Sequence, residues 1–102
     1  MEKKNFSEKC YEVLRKVPKG KVTTYKAIAE ALNTRAYRAV GGAMNKNPYA
    51  PEVPCHRVVG SNGKMVGYAG GIKKKIQMLK KEGVNIENGK VADFENKLYT
   101  FS

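Results

Sequence analysis

Three prolines, Pro48, Pro51 and Pro54, constrain this chain more than any other local feature. Each ring fixes φ, removes a backbone donor and disfavours helix at the residue before it. Residues 47–54 therefore run as an extended, turning path rather than a helix or a central strand, and that path delivers the chain to Cys55. Rigid loops suit reactive residues. At 102 residues the chain is expected to form one domain around a single modest core.

Ahead of the prolines the pattern is helical. Phe6, Cys10, Val13, Leu14 and Val17 recur at helical spacing over residues 6–17, with Glu8, Lys9, Glu12 and Lys16 on the other face. Cys10 lies on the apolar stripe and reads as core. Pro18-Lys19-Gly20 stops this helix. After the short β-favouring stretch Val22-Thr23-Thr24, either threonine can cap a second helix whose apolar positions are Ala27, Ile28, Ala31 and Leu32. Asn33-Thr34 makes a turn. A third helix over about 35–44 is expected to bury Ala36, Val40, Ala43 and Met44 and to present Arg35, Arg38, Gly41, Gly42 and Asn45. Two short helices joined by a tight turn, the second with a basic face, form a helix-turn-helix arrangement. Gly41 and Gly42 each cost about 1 kcal/mol of helix propensity relative to Ala. Either they end or kink the helix, or they let a large ligand approach the backbone closely.

Beyond the prolines, Val58-Val59 and Met65-Val66 flank Gly60-Ser61-Asn62-Gly63, an Asn-Gly signal that predicts a small hairpin. Tyr68-Ala69-Gly70-Gly71 reads as a flexible loop. A fourth helix over about 72–82 directs Ile72, Ile76 and Leu79 inward and Lys73, Lys74, Lys75, Lys80 and Lys81 largely outward, and it ends at Gly83. Residues 84–102 leave two readings open: a second hairpin around Asn88-Gly89 with a terminal strand over 97–101, or a loose tail. The expected fold class is mostly α with a small β-hairpin, a winged-helix-like helix-turn-helix domain.

Twenty Lys and Arg against nine Asp and Glu give a formal charge of +11, which points to a polyanionic partner, nucleic acid before an acidic membrane surface. A solubilising lysine-rich surface is the plainer alternative. No apolar run approaches the roughly 20 residues that span a bilayer. The charged start Met1-Glu2-Lys3-Lys4-Asn5 has no secretory pattern, so the expected location is prokaryotic cytoplasm, or a nucleus. Two cysteines and one histidine make a structural disulfide or a closed zinc site poor readings.

Cys55 is followed directly by the only histidine, His56. Free cysteine is only a few per cent thiolate at neutral pH, and a neighbouring imidazole can activate it. Adjacency is awkward, because successive side chains of an extended segment point to opposite sides, so contact needs a bend or a bridging water. On the residues alone, a nucleophile and a buried structural cysteine both remain open.

Pro54-Cys55-His56-Arg57-Val58-Val59 resembles the active-site signature of the O6-alkylguanine-DNA alkyltransferases. Gly20-Lys21-Val22-Thr23-Thr24-Tyr25, Arg38-Ala39-Val40-Gly41-Gly42-Ala43-Met44, Asn47-Pro48, Gly67-Tyr68-Ala69-Gly70-Gly71 and Leu79-Lys80-Lys81-Glu82-Gly83 resemble further family motifs, in order, over roughly residues 6–83. The resemblance implies Cys55 as the alkyl acceptor, His56 as its base through water, Glu82 orienting His56, Asn47 bracing the turn and Tyr25 polarising or protonating the guanine leaving group. It implies a pocket at Val58, Tyr68, Ala69 and Gly70. It also implies DNA contact in the minor groove through Ala36, Tyr37, Ala39 and Gly41, with Arg38 filling the gap left by a flipped base. Tyr37 departs from the smaller residue common at its position, so altered groove packing is expected there. Read alone, Tyr25 is equally a packing aromatic, Glu82 a solvated charge, Asn47 a turn former and Arg38 a phosphate clamp.

The function implied is direct reversal of DNA damage by irreversible, single-turnover transfer from O6 of guanine, with O4 of thymine as a further target. The partner is double-stranded DNA containing alkylated guanine, with no membrane, metal or cofactor, and the chain is expected to be a monomer. Two other functions compete. One is a non-catalytic alkyltransferase-like protein that flags damage; such proteins replace the cysteine, often with tryptophan, whereas this chain keeps Cys55 and contains no tryptophan. The other is a helix-turn-helix transcription regulator, which gives no reason for Pro54-Cys55-His56-Arg57.

Overall fold

A computed structural model of the chain describes residues 5–49, 52–66 and 71–101. Helix α1, Phe6–Leu14, starts where the Asn5 side chain accepts from the Glu8 amide at 2.8 Å, and its Cys10 and Leu14 are wholly buried. Strand β1, Thr23–Thr24, runs straight into helix α2, Tyr25–Ala31, whose cap is Thr24 accepting from Ala27 N at 3.0 Å. Asn33 ends α2 at φ 58°, with Thr34 N on Ala29 O and Asn33 N on Glu30 O. That paired closure with a left-handed asparagine is a Schellman turn. Helix α3, Tyr37–Asn45, follows and packs on both α1 and α2, and the buried Tyr11 hydroxyl donates to Ala43 O at 2.9 Å. The helix-turn-helix is α2 and α3.

After the proline path a 3-10 turn, Cys55–Arg57, leads into strand β2, Val58–Val59. Strand β2 pairs in parallel with β1, Thr23 opposite Val58 and Thr24 opposite Val59. Consecutive strand residues face opposite ways, so Val58 joins a larger core with Leu14, Ile28, Val40, Val53 and Cys55, while Val59 joins a smaller one with Val22, Leu79, Val84 and Val91. Helix α4, Ile72–Lys81, closes the smaller core, followed by the hairpin β3–β4, Ile86–Glu87 and Lys90–Val91, and the short helix α5, Phe94–Lys97. The architecture is mostly helical with small sheets, as the periodicity predicts. Among the described residues no helix is long and apolar enough to cross a membrane.

The structure corrects several local expectations. Helix α1 ends at Leu14, and tighter turn hydrogen bonds carry the chain on to a buried Val17. Helix α3 begins at Tyr37, which leaves Ala36 at its cap and exposed instead of buried. It continues through Gly41 and Gly42 to Asn45, so the glycines neither end nor break it, and a methyl at either would meet nothing within 4 Å. The chain does turn at Asn62-Gly63, both at positive φ, with Gly60 N on Lys64 O at 2.8 Å. No hairpin ladder forms there, because Val58-Val59 are committed to β1. The Asn88-Gly89 hairpin forms, with both turn residues at positive φ as a tight two-residue turn requires. The end of the chain is not loose. Residues expected to form a terminal strand contribute a single parallel bridge, Leu98 with Val22, and Lys97 belongs to α5. On α4, Lys75 is inward at 1% exposure and Ile72 outward at 46%, the reverse of the expected arrangement.

Gly63 lies against Phe94, which packs on the smaller core. A Cβ there would lie 2.9 Å from Cδ1 and 3.0 Å from Cγ of Phe94, at a backbone φ of 80°. Gly63→Ala should destabilise the fold by about 1–3 kcal/mol from overpacking and left-handed strain, measured by urea denaturation. A neutral effect would mean that Phe94 does not pack over this glycine.

Candidate active site

The proline path is braced from inside. Asn47 Nδ2 donates to Val53 O at 2.8 Å and its Oδ1 accepts from Tyr49 N at 2.9 Å, so one amide spans the turn. Across Pro54, at φ −81° and ψ 68°, Cys55 N donates to Val53 O at 2.8 Å, the geometry of an inverse γ-turn. Arg57 N then closes the 3-10 turn on Pro54 O at 2.9 Å. Side chains leave such a turn about 120° apart instead of on opposite sides. This supplies the bend that Cys55-His56 adjacency needs. Cys55 is 6% exposed and His56 2%.

The opposing group comes from α4. Gly83, at φ 89°, ends that helix with Val84 N on Leu79 O and Gly83 N on Lys80 O, a second Schellman turn with Val84 and Leu79 packed in the smaller core. Glu82 is the residue at the cap. A carboxylate is unfavourable at the negative end of a helix, and here three hydrogen bonds hold it. Arg57 donates from Nε to Oε1 at 2.9 Å and from Nη2 to Oε2 at 2.7 Å, while His56 Nε2 lies 3.0 Å from Oε2. The remaining Arg57 arm, Nη1, donates to Val17 O at 2.8 Å. Burial pushes the Glu82 carboxyl up, but the hydrogen bonds from Arg57 and His56 outweigh it and leave it below its ordinary value.

By distance, His56 and Glu82 could be an ion pair. Burial governs the imidazole, however, and with Arg57 and Lys75 nearby it overrides the pull of Glu82 and lowers the His56 pKa below 6.5. The ring is therefore neutral at neutral pH and donates from Nε2. Its buried Nδ1 has no protein hydrogen-bond partner among the described residues. A neutral histidine oriented by a carboxylate through one nitrogen keeps a basic lone pair on the other.

Tyr25, the first residue of α2, is half-buried against the core that contains Cys55. Burial raises its pKa, and negative charge on Cys55 raises it further, so the phenol keeps its proton near the sulfur. Val58 is buried beside the site. Arg38, Tyr37, Ala39 and Ala36 lie exposed at the start of α3, with Gly41 half-exposed one turn on. Tyr68, Ala69 and Gly70 lie outside the described residues. The structure thus brings together Tyr25, Asn47, Cys55, His56, Val58 and Glu82, and sets the α3 group apart on an open face.

Two residues at the site escaped sequence reasoning. Arg57, within the signature itself, clamps Glu82. Lys75 donates its amine to Val58 O and to Val66 O, the latter at 3.2 Å, with no carboxylate partner among the described residues. Its position four residues before Leu79 places it on the buried stripe of α4. Burial lowers its pKa to about 8, against the opposing effect of negative charge on Cys55. In the unfolded chain the amine titrates near 10.5, so between these values the unfolded state binds the extra proton and stability rises with pH. The difference in unfolding free energy, wild type minus Lys75→Met, should climb by up to about 3 kcal/mol from pH 8 to 10.5. A flat difference would contradict a desolvated ammonium at this position.

Known proteins resemble this chain in sequence and in fold. The family model for the DNA-binding domain of 6-O-methylguanine DNA methyltransferase matches residues 5–84. The methylated-DNA–protein-cysteine methyltransferase of Methanosarcina barkeri is 47% identical over 83 residues, covering 80% of this chain and 52% of that protein. The chain thus spans about half the length of such curated relatives. The crystal structure of O6-methylguanine-DNA methyltransferase from Pyrococcus kodakaraensis superposes with a TM-score of 0.73 at 50% identity, over 79% of this chain and 47% of that one. Schizosaccharomyces pombe Atl1 in complex with damaged DNA containing O6-carboxymethylguanine gives a TM-score of 0.80 at 30% identity, over 98% of this chain and 99% of that one. With the family model covering most of its length, and the Cys55-His56-Glu82 arrangement inside the matched region, the chain belongs to the O6-methylguanine-DNA methyltransferase family.

Proposed function

We propose that this chain repairs DNA by moving an alkyl group from O6 of guanine onto Cys55. The observation that carries the reading is the buried His56, tied to Glu82 through Nε2 and with Nδ1 unpaired among the described residues, directly after a cysteine presented by a braced turn. The thiol proton passes through water to His56 Nδ1. The sulfur then attacks the alkyl carbon, the C–O6 bond breaks, and its electron pair leaves on guanine. Tyr25 donates its proton to the departing base, and the proton held by His56 returns to the phenolate through solvent, so the count closes. The product thioether is stable and each chain acts once.

DNA recognition follows from charge and shape. A formal charge of +11 favours duplex DNA with a steep salt dependence. Ala36, Ala39 and Gly41 offer a small-residue surface on α3 for close approach in the minor groove, and Arg38 occupies the space of the flipped base. The open surroundings of Gly41 and Gly42 support this, since no contact among the described residues accounts for the missing side chains. Thymine alkylated at O4 is a smaller target for the same pocket.

A second reading is favoured by one observation, the end-to-end match with Atl1: a protein of this extent that binds alkylated guanine without accepting the group. Cys55 separates the two. Cys55→Ser should abolish transfer and leave affinity for an alkylated duplex within a few-fold of wild type. His56→Ala should slow single-turnover transfer by about 100-fold to 10,000-fold. The wild-type rate should fall in acid, and only at a pH lower than an ordinary histidine would require, because burial holds the His56 pKa down. Equal rates for His56→Ala and wild type at neutral pH would overturn the relay, and a wild type that binds but never transfers would establish the second reading.

A further inference from the structure

The family match ends at residue 84, yet the residues that follow touch both sides of the candidate site. We propose that residues 85–101 are a positioning strap that holds β1, and with it Tyr25, in register with the turn bearing Cys55. The inference rests on the alkyl-transfer reading above.

At one end the strap bonds to the residues that enter and form β1. Among the described residues, the ladder joining the Tyr25 side of the site to the Cys55 side is the two-residue pairing of β1 with β2, which leads directly out of the Cys55–Arg57 turn. A two-stranded ladder is marginal by itself. Residues 97–99 lie along the other edge of β1: Val22 N donates to Lys97 O at 2.9 Å, Tyr99 N donates to Val22 O at 2.7 Å, and the buried Thr23 hydroxyl donates to Tyr99 O at 3.2 Å. Lys21 Nζ adds a bond to Asn96 O at 2.7 Å. Val22, which leads into β1, is therefore held by the strap, and β1 ends at the Thr24 cap with Tyr25 the next residue. The Tyr99 and Phe101 rings meet edge to face at 5.2 Å and pack, as Tyr25 does, on the core containing Cys55.

At the other end the strap holds the segment beyond β2. Met65 N donates to Gly89 O at 2.8 Å, Lys64 bridges to Lys90, and Phe94 covers Gly63. Val66 in the same segment receives the Lys75 amine, which also reaches Val58 O. The strap thus fixes two stretches whose separation sets where a base could lie against the Cys55 sulfur, without contributing a reacting group of its own.

Three variants in the full chain test this. Tyr99→Pro removes the donor to Val22 O. Thr23→Val removes the hydroxyl that reaches Tyr99 O, and Thr23→Ser retains it. With saturating methylated duplex, at a temperature where each variant is fully folded, the single-turnover rate should fall at least tenfold for Tyr99→Pro and several-fold for Thr23→Val. It should recover most of the wild-type value in Thr23→Ser, and affinity for the duplex should stay within twofold throughout. Amide exchange over residues 22–25, which does not depend on transfer, should quicken at least tenfold in Tyr99→Pro. Wild-type saturated rates in the folded variants, or wild-type exchange at residues 22–25, would overturn the strap. Should wild type itself transfer nothing, the alkyl-transfer reading fails, and exchange alone decides whether the strap holds β1.

Discussion

The Glu82 carboxylate lies at the C-terminal end of α4, where the helix dipole disfavours it, and the bidentate Arg57 guanidinium holds it there. That one ion pair ties three parts of the molecule. Glu82 belongs to α4, Arg57 ends the turn bearing Cys55, and the third Arg57 contact, to Val17 O, fixes the chain leaving α1. With its charge met by Arg57, Glu82 can orient His56 without protonating it. Burial is the larger reason the imidazole stays neutral, and Arg57 adds to it by opposing the pull of the carboxylate.

Around this contact the backbone is over-determined. The prolines, the Asn47 amide and the inverse γ-turn at Pro54 leave Cys55 little freedom. The alternation of Val58 and Val59 between two cores then fixes the register of β2 against β1, because a slip of one residue would exchange their environments. A precise site on a small domain follows from tying a short turn to two cores. Lys75 extends the same logic, since its amine serves carbonyls on both sides of the Asn62-Gly63 turn at the cost of a desolvated charge.

How much of this was legible in the sequence depends on the range of the interaction. Local signals were readable: a threonine cap at Thr23 or Thr24, the turn at Asn33, the stop at Gly83 and the proline path to Cys55 all follow from residue type and spacing, whereas the Asn5 cap went unread. Partners distant in sequence were not. Asn62-Gly63 and Asn88-Gly89 carry the same turn chemistry and both turn, but only the second closes a hairpin ladder, because the strand before the first finds β1 instead. The pairing of His56 with Glu82, 26 residues apart, was accessible only through family resemblance. Lys75 was misplaced because charge was weighed above helical position, whereas two buried carbonyls needed a donor.

The central claim is that Cys55 is a single-use acceptor, and intact-mass spectrometry of the chain after incubation with a duplex containing O6-methylguanine tests it most directly. The account predicts one added methyl group per chain, mapped to Cys55 by peptide sequencing, with an equal amount of restored guanine and no further turnover. Methylation at Cys10, repeated turnover by one molecule, or an unchanged mass alongside tight binding would contradict it.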